Sequence, residues 1–162
     1  MQNWESFFVA EAGAAAALAG LVFVAVSINL ARILEFPTLP MRVLEALVSL
    51  LSVLVTAIFS LVPAQSLFIY GAEIGGLGLF VWACQLVALV RTLKDDKEYA
   101  HHFVRLSTRV MMNQLSPLLL LASGGFLLTG HAEGVYWLVP ATLAGFAGGM
   151  FGAWVLLIEI QR

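Results

Sequence analysis

The sequence predicts an all-α, polytopic membrane protein with five transmembrane helices in a single domain spanning residues 1–162. Two observations carry that prediction. Hydrophobic residues make up 61% of the chain and charged residues 11%, against about 25% charged in an ordinary soluble domain. The eight Lys and Arg residues (Arg32, Arg42, Arg91, Lys94, Lys97, Arg105, Arg109 and Arg162) all fall beside alternate gaps between long apolar segments or at the C-terminus. Five spans place all eight on one side of a bilayer.

A helical span needs roughly 20 apolar residues. Spans are expected near 7–34, 41–69, 72–93, 107–129 and 136–160. Residues 41–93 as one helix would reach about 80 Å, so that stretch must turn, and the Pro63 to Gly76 region is where it does so. Pro37 and Pro40 separate the first two spans. Asp95 and Glu98 have capping-box spacing, so helix four is expected to start there and extend into the cytoplasm before entering lipid. Gly130 to Gly134 reads as a short turn.

Cytoplasmic loops are enriched in Lys and Arg. The basic 91–109 region is therefore expected inside, with the N-terminus out, 35–42 in, 70–72 out, 130–135 out and the C-terminus in. Trp4, Tyr70, Tyr136 and Trp137 then sit at the outer interface, which suits amphipathic rings. Met1 to Phe8 carries no Lys or Arg and is read as mature protein rather than a signal peptide. A bacterial inner (plasma) membrane location is expected. The near-neutral net charge of −2 argues against a nucleic-acid partner, and the lone Cys84 cannot form an intramolecular disulfide framework or a Cys-based zinc site.

Span two carries a polar stripe: Glu45, Ser49, Ser52, Thr56 and Ser60 lie within an arc of about 80°. It is either a packing seam or the lining of a water-filled path, because Ser and Thr serve both ends. Span one has a small-residue groove of Ala12, Ala16, Gly20 and Ser27 and a second stripe of Glu11, Ala15, Val22, Ala25 and Asn29. Span five repeats small-residue spacing at Ala141, Gly145, Gly148 and Gly152. Pro63 and Pro117 are placed inside spans, where each removes a backbone donor.

Ionisable groups at membrane depth are functional-site candidates. Glu11, Gln65 and Glu73 form a candidate outer acidic site, with no Lys or Arg on that side to pair with it. Asn29, Arg32, Arg42, Arg109, Asn113, Gln114 and Glu159, with Glu45, form a candidate inner polar cluster in which Arg109 pairs with Glu45 or Glu159. Gln85 and Cys84 read as an interhelical hydrogen-bonding point. His101 and His102 point about 100° apart on a helix, which suits neither haem nor zinc. No nucleophile elbow, phosphate loop or His-Glu-x-x-His is present. No catalytic residues, cofactor or metal site are expected, and the protein is not expected to be an enzyme.

The segment GAAAALAGLVFVAVSINLARIL (Gly13 to Leu34), followed by Pro37, Leu39-Pro40 and Arg42 to Leu47, resembles a family of small bacterial integral membrane proteins, some of which are labelled modulator of FtsH protease. The resemblance covers about the first 65 residues, to Pro63-Ala64-Gln65. It implies a bacterial plasma-membrane location and a non-enzymatic role, and assigns no functional residues. The expected partners are the lipid bilayer and either further copies of the chain or a larger membrane protein. The expected function is that of a non-catalytic accessory or regulatory membrane protein acting through helix packing. A homo-oligomeric cation channel or transporter, lined by the polar face of span two, is the alternative.

Overall fold

Apolar runs without water to solvate their backbone must satisfy every N–H and C=O internally, which favours helices. A computed structural model describes residues 4–36, 39–95 and 103–161, with side chains for all of these except 92, 94, 95, 103–109 and 159–161. The elements are α1 (Glu5–Ile28), α2 (Leu30–Glu35), α3 (Leu39–Leu61), α4 (Leu67–Asp95), α5 (Phe103–Leu128), a 3-10 turn (Ala132–Trp137) and α6 (Leu138–Gln161). Among the described residues there is no strand, and five helices are long and apolar enough to cross a membrane.

The first expected span is two helices. It breaks at Asn29, whose backbone leaves helical geometry (φ −104°, ψ 14°). Ser27 Oγ donates to Phe23 O at 2.8 Å and Asn29 Nδ2 to Ala25 O at 2.9 Å. Such back-bonding competes with the helical ladder. The turn between the next two spans also differs from expectation. It lies at 62–66, between α3 and α4, and not at 70–72. Pro63 is therefore outside the helix it was expected to kink. Its turn carries Ala64 at φ 57°, a left-handed conformation unusual for a residue with a Cβ. The Phe59 carbonyl accepts from Val62 N at 3.3 Å. Pro117 does lie inside α5.

Asp95 closes α4, while the capping box expected with Glu98 falls outside the described residues, as do His101 and His102. Helix α5 begins at Phe103. At the other end of α5, Gly130 takes φ +85° and its N–H bonds Leu127 O at 3.0 Å, while His131 N bonds Phe126 O at 3.0 Å. This left-handed glycine ends the helix as a Schellman-type cap.

In the bundle α3 packs against α4 and α6, and α5 against α4 and α6, so these four helices form a ring. Helix α1 lies outside the ring, principally on α3. Half of the apolar window of α3 is buried, against 11% for α1. The closest seam is α4 against α5. A Cβ on Gly124 would meet the backbone of Gly75 at 2.6 Å, and one on Gly71 would meet Leu128 N at 2.7 Å. Gly78 sits against Leu120 and Leu121. Helix α6 uses Gly145 against Val53, Gly148 against the Met112 backbone, Gly149 against Leu50 and Gly152 against Ala46. Small residues let backbones approach until dispersion and hydrogen bonding hold them in a solvent as apolar as the side chains themselves.

Gly124→Ala should destabilise the fold by about 1–3 kcal/mol, because backbone cannot move aside as a flexible side chain would. Gly125→Ala, which meets open space, should change stability by less than about 1 kcal/mol. Unfolding of the purified variants from mixed micelles distinguishes the two.

Candidate functional site

The polar stripe of α3 faces inward. Glu45, Ser49, Ser52 and Thr56 are all buried, Thr56 completely. The stripe is bonded in layers on either side of Thr56. At the end carrying the basic residues, Asn113 Nδ2 on α5 donates to Glu45 Oε2 at 3.1 Å. Further along, Gln85 Nε2 on α4 donates to Ser49 Oγ at 3.2 Å, and Ser52 Oγ donates to Ser49 O at 2.7 Å. Ser60 Oγ donates to Thr56 O at 2.7 Å and lies 2.6 Å from the Tyr70 hydroxyl of α4. The Ser60 proton is committed to the carbonyl, so Tyr70 is the donor in that pair. Tyr70, expected at the interface, is instead 1% exposed. Its ring joins the apolar cluster of Phe8, Ile74, Leu127 and Leu138 while its hydroxyl finds Ser60, which is how a buried tyrosine avoids an unmet donor.

The cleft beside the stripe, between α3 and α4, is lined by Leu44, Glu45, Val48, Cys84, Gln85 and Ala88 and has no room for a water molecule. Gln85 Oε1 and Thr56 Oγ1 are buried without a hydrogen-bond partner. Gln85 was expected to bond between helices. Its amide nitrogen does so, to Ser49, while Cys84 lines the cleft wall as a half-buried free thiol.

The expected acidic site divides in two. Gln65, in the α3–α4 turn, donates from Nε2 to Glu73 Oε2 at 2.7 Å, one and a half turns into α4. Glu11 stands apart from them on α1. It is 6% exposed, the Thr142 hydroxyl of α6 lies within hydrogen-bonding reach of its carboxyl, and its Oε2 is buried with no partner. Tyr70 is within electrostatic range of both carboxyl groups. An aromatic clamp closes this end: the Trp4 ring packs edge-on to Tyr136 (centroids 5.2 Å apart), and Phe126 stacks on Trp137 at 6.0 Å.

The basic-end cluster is only partly drawn together. Asn113 reaches Glu45, Arg42 is half-buried, and Gln114 keeps Oε1 buried without a partner. Asn29 bonds its own helix and Arg32 is exposed. The side chains of Arg109 and Glu159 lie outside the described residues, and so does their expected pairing.

Two features escaped the sequence reading. The glycines of α4 (Gly71, Gly75, Gly78) at spacings of four and three carry the closest helix contact. Thr142, which meets Glu11, lies one turn before Gly145 and is a single polar residue in an apolar run. The small-xxx-small rule could have found the first; nothing local marks the second. No protein-family model matches this chain, and neither does any curated protein or solved structure.

Asn113→Leu should cost about 1–3 kcal/mol, because it takes a donor from a buried carboxylate. Gln85→Leu should stay within about 1 kcal/mol of wild type, since it removes one modest bond together with an unmet acceptor. Reversible unfolding in mixed micelles measures both.

Proposed function

We propose that this chain is a non-catalytic, multi-pass accessory protein of a bacterial inner membrane that acts by lateral association of α1 with a transmembrane helix of a partner protein. The supporting observation is the outward face of α1. Phe8, Glu11, Ala15 and Ala19 point into the bundle. The opposite face carries Gly13, Ala16, Ala17 and Gly20, all exposed, with nothing within 4 Å of a Cβ built on either glycine. The other helices turn large side chains outward along their length, with Phe80, Leu118, Met150 and Trp154 as examples, and α1 does so at Leu21, Phe23, Val24 and Ile28, beyond the small-residue stretch. A narrow, smooth face of this kind suits close contact with another helix, which large lipid-facing side chains would keep at a distance.

An oligomeric pore lined by the α3 stripe has less support. Ser49, Ser52 and Thr56 are enclosed by helices of their own chain, and the neighbouring cleft admits no water. In the proposed orientation the N-terminus is outside and the basic 91–109 region is cytoplasmic, as the positive-inside rule requires.

The test is photo-crosslinking in native membranes from a reactive residue placed at Ala16. The expected result is a defined protein adduct, reduced at least about tenfold by Gly13→Leu with Gly20→Leu, a loss of more than about 1.4 kcal/mol of association. The double variant should keep wild-type stability, because both glycines face open space. Adducts with lipid alone overturn the reading. An adduct with a second copy of the chain replaces the partner protein with self-association on the same face.

A further inference from the structure

Glu11 is a buried carboxyl with incomplete company, and its surroundings specify the form it takes. It lies six residues inside α1, about 9 Å from the helix start. It faces α6, where it meets Thr142. Thr142 has one hydroxyl proton, and the carbonyls of Leu138 and Val139 accept it at 3.0 and 3.2 Å. While that proton stays on the carbonyls, Thr142 presents lone pairs to Glu11, and an ionised Glu11 competes with the carbonyls for it. A carboxylate gains nothing from a lone pair, whereas the O–H of a carboxylic acid donates to it.

The remaining neighbours point the same way. Glu11 Oε2 is buried with no hydrogen-bond partner. From α4 come only the Tyr70 phenol, whose proton is given to Ser60, and beyond it Glu73. The titratable residues of α3 are Arg42 and Glu45, both in its first two turns, at the far end of the bundle from the α3–α4 turn. His131 and Glu133 are exposed in the turn before α6. Residues 1–31, 43–90 and 110–161 contain no Lys or Arg. An unpaired carboxylate in an apolar medium is strongly disfavoured, and the neutral acid avoids that cost. A metal cation would need a shell of several oxygens, and the exposed lone pairs of Thr142 together with one unpartnered carboxyl oxygen do not make one.

We propose that Glu11 is an intramembrane proton-binding carboxyl whose protonated form holds α1 against α3 and α6. The step is a simple protonation: the carboxylate takes one proton to give the acid, and the new O–H donates to Thr142 Oγ1. Loss of that proton leaves a negative charge with at most the one Thr142 hydroxyl to answer it at the only buried polar position of α1, so α1 loosens as pH rises. This site is separate from the outward glycine face, and its test does not depend on a partner.

The test uses the full chain in liposomes of neutral phospholipid, treated with the apolar reagent dicyclohexylcarbodiimide. A protonated carboxyl adds across the carbodiimide C=N bond to give an O-acylisourea, which rearranges to a stable N-acylurea with the mass of one intact reagent added. At about pH 6, peptide mass spectrometry should find this adduct on Glu11 at least about tenfold above exposed Glu133. Labelling of Glu11 no greater than that of Glu133 overturns the proposal. Protection by sodium chloride at constant pH and ionic strength also overturns it, because the site then takes a metal cation.

A second measurement reads the position of the helix. In a Cys84→Ala background, Trp4→Cys with Tyr136→Cys should crosslink across the 5.2 Å ring contact, and the yield should fall with rising pH relative to the same pair carrying Glu11→Gln. Identical pH profiles with and without Glu11 overturn the role in docking.

Discussion

The structure depends on one constraint: in hydrocarbon no solvent molecule completes a hydrogen bond, so polar groups carried into the bundle are driven to pair with one another. Helix α3 shows the consequence. Its stripe could not be left facing lipid, so the other helices are arranged around it. Glu45 takes Asn113 from α5, Ser49 takes Gln85 from α4, and Ser60 takes Tyr70 from α4. Each layer ties α3 to a different point of the ring, and together they specify how the helices are rotated about their axes. Apolar contact alone sets rotation weakly, because leucine against leucine costs little more or less than leucine against lipid.

Close packing supplies what hydrogen bonding does not. The Gly71, Gly75 and Gly78 face of α4 allows Gly124 of α5 to approach to backbone contact, and α6 presents Gly145, Gly148, Gly149 and Gly152 to its neighbours. Helix α1 differs. It has one thin contact face and one buried polar residue, Glu11, and its outward side combines the small residues Gly13, Ala16, Ala17 and Gly20 with the exposed Val9, Leu21, Phe23 and Val24. It is the least enclosed of the spans. Elements with few buried contacts open most easily, so the helix best placed to meet a partner is also the one whose seating a single proton can influence.

Much of the architecture was legible from the sequence because membrane helices obey rules of length and period. Apolar runs of about 20 residues marked five spans, and a 3.6-residue period exposed the Glu45 to Ser60 stripe as one face of one helix. The errors were local. Pro63 read as a kink within a span because the apolar run continues past it, but the chain turns there, and Tyr70 then falls inside the bundle. Asn29 read as part of a continuous span because its neighbours are apolar, yet side-chain bonds back to the helix interrupt it. Gln65 and Glu73 are linked as grouped, whereas Glu11 belongs to a different helix pair.

By itself, then, the sequence determined that the chain is helical, that five of its helices are long and apolar enough to cross a membrane, and which residues share a face. Those are properties of single helices, set by backbone hydrogen bonding and the periodicity of side chains. Only the tertiary structure decided which way each face turns. It placed the α3 stripe inside, left the small residues of α1 outside, and set Glu11 of α1 against the Thr142 hydroxyl of α6. These outcomes depend on which helices lie side by side, and no spacing within one helix records its neighbours.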